Sequence, residues 1–314
     1  MESLIAALLL RAGYNSAVAT VGATFLGAAG GVVGTFLLLR RRVMLADAAS
    51  HATLPGLALA FLAGLSLSGE GRILPLLLLG AALSAALGGL AVHAVAATRR
   101  IGEDAAIASV LATFYGAGTL LLSYVQSLPV GGRAGLERFL LGSAAGTLRT
   151  EAELVAGLAL LFLLLLVLLL TKELRLLCFD PGFAEAHGWS TARLDLLLTG
   201  LLLAFLVIGL QIVGLVLALA LVVLPPATAR LWADRLGRML SLAAATGALS
   251  GWLGAALSAA LERLPTGPAI VLVGAGLFFT SLLVAPRRGV VAVAVRRARL
   301  RRTIARGAAS GPLP

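Results

Sequence analysis

Long apolar runs, separated by short basic clusters, dominate the pattern of this chain. Runs long enough to cross about 30 Å of hydrocarbon occupy roughly 17–39, 52–68, 73–97, 105–125, 153–170, 239–261 and 268–286. Between the fifth and sixth lies 194–226, LDLLLTGLLLAFLVIGLQIVGLVLALALVVLPP, too long for one comfortable crossing and short for two. Charge decides its path. Arg40-Arg41-Arg42, Arg99-Arg100, Lys172 with Arg175, Arg230 to Arg238, and Arg287 onward can share one side only if 194–226 goes out and returns, turning near Gly209 to Gly214. The positive-inside rule makes that side cytoplasmic. The pattern therefore predicts an all-α, polytopic transmembrane bundle of about 8–9 crossings. Nine is the preferred count, with the N-terminus outside and the C-terminus cytoplasmic. One kinked helix over 194–226 gives eight and misplaces a basic cluster.

The remaining segments hang on this frame. Residues 1–16 are too short in apolar length to span, have no basic start or clear cleavage site, and read as an interfacial helix. Segment 126–152 falls outside, with a short helix expected around Glu137 to Leu141. Segment 171–193 falls inside; Asp180-Pro181 starts, and Gly188 stops, a short amphipathic helix from Pro181 to His187. The basic tail 287–314 is a solvated or headgroup-associated end. Small residues recur at helix-packing spacing in Gly27, Gly30, Gly31 and Gly34, and again in Gly247, Gly251 and Gly254. The whole of 1–314 reads as one integral membrane domain.

Composition agrees. The chain is 60% hydrophobic and 12% charged, with a mean hydropathy of +1.03; soluble domains are about 45–50% apolar. The net charge of +11 sits at the ends of apolar runs and in the tail, which argues against nucleic acid as a partner. Cys178 is the sole cysteine, excluding an intramolecular disulfide or a multi-thiolate metal site.

Ionisable residues inside apolar runs suggest function by default. Asp47 and His51, in ADAASHATLPG, are four residues apart and share one helix face. A carboxylate and a neutral imidazole suit manganese, iron or zinc. Pro55-Gly56 follows, so the helix is expected to loosen or break beside the pair, as is tolerated where backbone lines an aqueous path. The competing reading is that Asp47 caps the helix and pairs with an arginine while His51 merely hydrogen-bonds. His93 is a weaker metal candidate, otherwise a satisfied packing histidine, and His187 belongs to the cytoplasmic helix. Two copies about a two-fold axis would double this sparse set of ligands. Glu103-Asp104 suit the dipole of a helix's first turn. Gln211, at the turn of 194–226, either lines a pathway or satisfies backbone. No G-x-x-x-x-G-K-[ST] occurs, so nucleotide hydrolysis would have to reside on another chain; no H-E-x-x-H occurs, which removes the device of a zinc intramembrane protease.

The blocks ADAASHATLPGLALAF (46–61), GEDAAIASVLATFYGAGTLLLS (102–123), KELRLLCFDPGFAEAHG (172–188), GLQIVGLVLALALVVLPPATARL (209–231), DRLGRML (234–240) and TGPAIVLVGAGLFFTSLL (266–283) resemble, in order, the integral-membrane permease subunits of manganese, zinc and iron ABC importers. The first and third blocks are the specific ones. The resemblance implies a type II importer-like fold and metal ligands at Asp47 and His51. The family usually has Ser where Ala46 stands. It also implies an ATPase-coupling segment comprising Phe179, Asp180, Pro181, Phe183, Ala184, His187 and Gly188; a pathway or gate around Pro55, Gly56 and Gln211 is the reading of those residues themselves. The implied partners are a cytoplasmic ATP-binding-cassette ATPase dimer, an extracytoplasmic metal-binding protein, a second copy of the chain and the lipid bilayer of the cell (inner) membrane. No permanently bound cofactor is expected; the divalent ion is cargo, and the chain is not itself an enzyme. Two alternatives stay open: an ABC permease for a chelate such as a siderophore or cobalamin, and an ion-coupled carrier that needs no ATPase.

Overall fold

The structure is a computed structural model describing residues 2–128, 149–212, 214–286 and 288–297, apart from single positions 12, 70, 72, 99, 180, 262, 263 and 295. Its ordered elements are helices. After α1 (Glu2–Leu8) come α2 (Tyr14–Leu39), α3 (Val43–Ser68), α4 (Leu74–Ala97) and α5 (Glu103–Ser127). Then follow α6 (Arg149–Leu165), a π-helical segment (Leu166–Leu170), α7 (Thr171–Phe179) and the short α8 (Pro181–Ala186). The chain continues with α9 (Thr191–Ile212), α10 (Leu215–Trp232), α11 (Leu236–Ala260) and α12 (Thr266–Val284). Seven of the described helices are long and apolar enough to cross a bilayer. Helix α6 with its π-helical continuation (149–170) and α10 supply further apolar passes, in keeping with the eight or nine expected.

Helix α2 is the hub. Of its apolar window 78% is buried inside the chain, against 22% for the peripheral α12. Helices α6, α9, α10 and α11 all pack on it, around a core that includes Leu26, Phe36, Leu37, Phe205 and Leu221. Its small residues make this possible. A Cβ on Gly27 would strike the Gly247 carbonyl, one on Gly31 the Ala243 carbonyl, and one on Gly251 the Ala23 carbonyl. Each step of four along α2 is thus a step of four back along α11, an antiparallel crossing in which missing side chains let the backbones meet. Helix α3 organises a second group, packed on α4 and α5, around Leu57, Ala58, Phe61 and Leu77.

The 194–226 run folds back on itself, as its charge pattern requires. On the outward arm Asp195 bonds Arg40, Phe205 lies against Gly30, and Gly209 meets Leu26. On the returning arm Ala218 meets Gly209, Leu221 lies against Gly30, and Val222 with Pro226 lies against Gly34. The two arms therefore climb and descend the same α2. The reversal falls at Gly214, whose φ of +85° is a left-handed conformation that glycine adopts without a steric penalty.

Two local expectations need adjustment. Pro55 does not break its helix: α3 runs unbroken from Val43 to Ser68 with Pro55 inside it. The proline removes one N–H, leaving the His51 carbonyl without its helical donor, but packing against α5 holds the turn, since Gly118 admits Leu54 and Pro55 at close range. The short helix expected from Pro181 to His187 ends at Ala186, with His187 in the turn that follows. The helix expected around Glu137 to Leu141, and Asp180, lie outside the described residues.

Candidate functional site

Helix α3 begins directly after Arg42, so Asp47 and His51 sit roughly 6 and 12 Å along its axis. Their side chains share a face, with His51 Nε2 3.5 Å from Asp47 Oδ1. The pair is not sunk in the protomer core. The Asp47 side chain is 38% exposed and that of His51 23%, whereas neighbouring Ala46, Ala49 and Ala52 are buried. Ser50 turns its hydroxyl to the Asp47 carbonyl and Thr53 turns its own to the Ser50 carbonyl, so the buried side of α3 satisfies itself. Ala46 also faces the core, so the missing hydroxyl there is not aimed at the exposed pair.

The neighbouring face of α5 has the same character. Its exposed positions include Ser109, Thr113, Tyr115, Thr119 and Tyr124. The Ser109, Thr113 and Thr119 hydroxyls donate to carbonyls one turn back. That spends their protons inside the helix and leaves oxygen lone pairs outward. Helix α4 is different: Leu79, Leu83, Leu87 and Leu90 are exposed, a stripe suited to lipid. The Tyr115 ring meets the His51 ring edge-on, with centroids 4.9 Å apart and planes at 77°.

The other sequence candidates divide clearly. His93 Nε2 is 3.1 Å from Thr199 Oγ1 on α9, and the Thr199 hydroxyl donates to the Asp195 carbonyl; this is a packing hydrogen bond between helices. Among the described residues no group of three His, Cys, Asp or Glu is placed to hold a metal, so His93 does not join Asp47 and His51. Gly56 is a crossing point, where an added Cβ would strike the Gly80 carbonyl. Gln211 falls in the last turn of α9.

At the end of the molecule where α3 starts, charges interlock. Arg40 Nη2 donates to both Asp195 oxygens, at 2.9 and 2.8 Å. Arg42 Nε lies 2.8 Å from Glu103 Oε1, and its Nη1 is 3.2 Å from Asp195 Oδ1 but lacks hydrogen-bond geometry. This knot ties the α2–α3 turn to α5 and α9. Asp195 was not singled out in the sequence, although an acid embedded in LDLLLTG is the very signal used for Asp47. Glu103 does occupy the first turn of α5, and it also pairs with Arg42.

Beside the knot lies the 171–193 segment. Burial pushes the Cys178 thiol up to about 11, with Arg40 opposing and Asp195 reinforcing the shift. In α8 the Phe183 and His187 rings stack 3.9 Å apart, and His187 Nδ1 is 2.9 Å from the Phe183 carbonyl. Gly188, at φ +82°, stops the helix while Trp189 N–H returns to the Ala184 carbonyl, a six-to-one closure. Phe179, Phe183 and Trp189 stand exposed, whereas Ala184 is fully buried and so faces its own chain.

A polytopic helical bundle with a polar intramembrane face, and with a short helix displayed beyond its charged end, defines a membrane transport permease. The chain belongs to the ABC 3 transport family, whose model matches residues 14–285. It is 41% identical over 287 residues to the zinc transport system membrane protein TroC of Treponema pallidum, covering 91% of this chain and 94% of that protein. It is 40% identical over 292 residues to the manganese transport system membrane protein MntC of Bacillus subtilis, covering 93% of this chain and 66% of that protein. Among solved structures, PsaBC from Streptococcus pneumoniae in complex with Fab matches with a TM-score of 0.75 and 28% identity, over 91% of this chain and 97% of that one.

Proposed function

We propose that this chain is the permease subunit of an ATP-binding-cassette importer that moves a divalent transition-metal ion, Mn2+, Zn2+ or Fe2+, into the cytoplasm by alternating access. One observation carries the reading: Asp47 and His51 share a partly exposed face of α3, with Tyr115 of α5 against the His51 ring. Exposed acid, imidazole and hydroxyl groups at membrane depth are costly against lipid. They are at home against a hydrated passage. Two ligands under-fill the coordination sphere of any of these ions, so a second protomer across a two-fold axis completes the set. The relatives' zinc and manganese systems support this class of cargo.

Energy then comes from a partner ATPase dimer at the cytoplasmic end, engaged by α8 through Phe179, Phe183 and His187. An extracytoplasmic binding protein delivers the ion to the opposite end. The positive-inside rule supports a cytoplasmic side for Arg40, Arg42 and the C-terminal tail, in a cell whose inner membrane holds the permease.

Metal uptake by cells carrying the whole system tests the reading, comparing wild type with Asp47→Ala and His51→Ala for Mn(II), Zn(II) and Fe(II). Membrane expression and ATPase assembly are checked for each variant. Loss of uptake with intact assembly is expected. Unchanged uptake overturns the metal assignment, and ATPase stimulation by a chelate but not by the free ion substitutes the chelate permease.

A further inference from the structure

The His51 imidazole presents its two nitrogens very differently. Nε2 faces Asp47 and the exposed side of α3. Nδ1 is buried and has no hydrogen-bond partner among the described residues. A metal-bound histidine is ordinarily fixed by donating its second N–H to a carboxylate or carbonyl, which sets both tautomer and ring orientation. His51 lacks that anchor. What its ring does have is the edge-on contact with Tyr115.

We infer that Tyr115 is the positioning residue for His51, its ring holding the imidazole in the orientation that offers Nε2 to the ion. This rests on the metal path proposed above. The helices are built to make the contact. Helices α3 and α5 both start at the Arg42–Glu103 bridge and run side by side. Gly118 lets α5 approach Leu54 and Pro55 at close range. Three residues earlier on α5 and four residues earlier on α3, the Tyr115 and His51 rings then meet. The contact is one of ring with ring: the structure gives the Tyr115 hydroxyl no hydrogen bond among the described residues, and the residue is 46% exposed. A phenylalanine would therefore serve as well as the tyrosine.

Without the ring, His51 would sample about two χ1 wells on a helix and two ring orientations, so the coordinating arrangement would be occupied roughly one time in four. Affinity for the ion should fall by that factor, while the ligands and the transport cycle survive. The test uses the permease assembled with its ATPase in lipid nanodiscs, with Mn(II) binding read by electron paramagnetic resonance, and uptake KM and Vmax measured in cells. Tyr115→Phe should bind Mn(II) within twofold of wild type. Tyr115→Leu, or Tyr115→Met if the leucine variant assembles poorly, should raise Kd and KM about fourfold at unchanged Vmax. A leucine or methionine variant within twofold of wild type overturns the inference, as does a phenylalanine variant that loses as much as the leucine. His51→Ala is the control for the reading beneath: if it leaves Mn(II) binding intact, the metal site itself fails and this role fails with it. Loss in His51→Ala with none in Tyr115→Leu removes the positioning role alone.

Discussion

Gly27 and Gly247 each occupy the space in which the other's side chain would stand. A Cβ on either would overlap the carbonyl of the other, so the two backbones touch where α2 crosses α11. Gly247→Ala, and more so Gly247→Val, forces the helices apart at a backbone contact that cannot yield. Overpacking of this kind costs about 1–3 kcal/mol. Gly276, in α12, has nothing within 4 Å of an added Cβ, and Gly276→Ala should be neutral or stabilising by up to about 1 kcal/mol. Thermal unfolding in detergent, followed by size-exclusion profile, separates the two.

The charge knot makes an ordered prediction. Asp195 is the shared acid of Arg40 and Arg42, and its side chain is only 12% exposed. Asp195→Ala leaves the partly buried Arg40 guanidinium without its acid and Arg42 with Glu103 alone, and should cost about 3 kcal/mol, as broken buried pairs do. Arg40→Ala should cost less, since Asp195 retains Arg42 nearby. Equal losses for the two variants, measured by the same melts, would contradict the shared-acid arrangement.

Helix α8 separates its surface from its support. Phe179 and Phe183 are exposed, and Ala184 is buried. Phe183→Ala should leave the permease folded and in the membrane yet weaken co-purification of the ATPase and lower metal-stimulated ATP turnover severalfold. Ala184→Leu should instead reduce expression by overpacking, at about 1–3 kcal/mol. Co-purification with immunoblotting distinguishes an uncoupled permease from an unfolded one.

Cys178 reports on the packing of α7. Burial holds its thiol near 11, against 9.0 for a free thiol. The folded protein thus keeps a proton that the unfolded chain releases between those values. Stability contributed by the neutral thiol is full below pH 9 and declines as pH rises toward 11. Relative to Cys178→Ser, the wild type should lose stability over that window. Maleimide labelling at pH 7.5 should be slow until the protein is unfolded, because the thiolate is the reactive species. Rapid labelling of the folded permease would refute the buried position.

Much of this molecule was legible in one dimension, because a bilayer imposes rules that act on short windows of sequence. Apolar length set the helices. Arginine clusters required 194–226 to return, and the structure turns it at Gly214. Glycines spaced by four marked the crossing of α2 on α11. An acid and a histidine four apart marked one face of α3 whatever the rest of the chain did.

Tertiary packing decided what local rules cannot reach. Pro55 does not break α3, because Gly118 lets the backbone of α5 pack directly against Leu54 and Pro55 at that turn. His93 finds Thr199 rather than Asp47, a choice made by how α4 leans on α9. Asp195 and Arg40, 155 residues apart, become partners only once both ends of the charged knot are folded together, and Tyr115 meets His51 only because α3 and α5 run side by side from the same salt bridge. The sequence by itself determined which long segments are helical, that 194–226 returns and which residues are candidates for chemistry, since these follow from hydrophobic length, charge and helical periodicity. Which of those residues touch was decided by the three-dimensional packing alone, because contact between distant segments depends on the angle and depth at which whole helices cross.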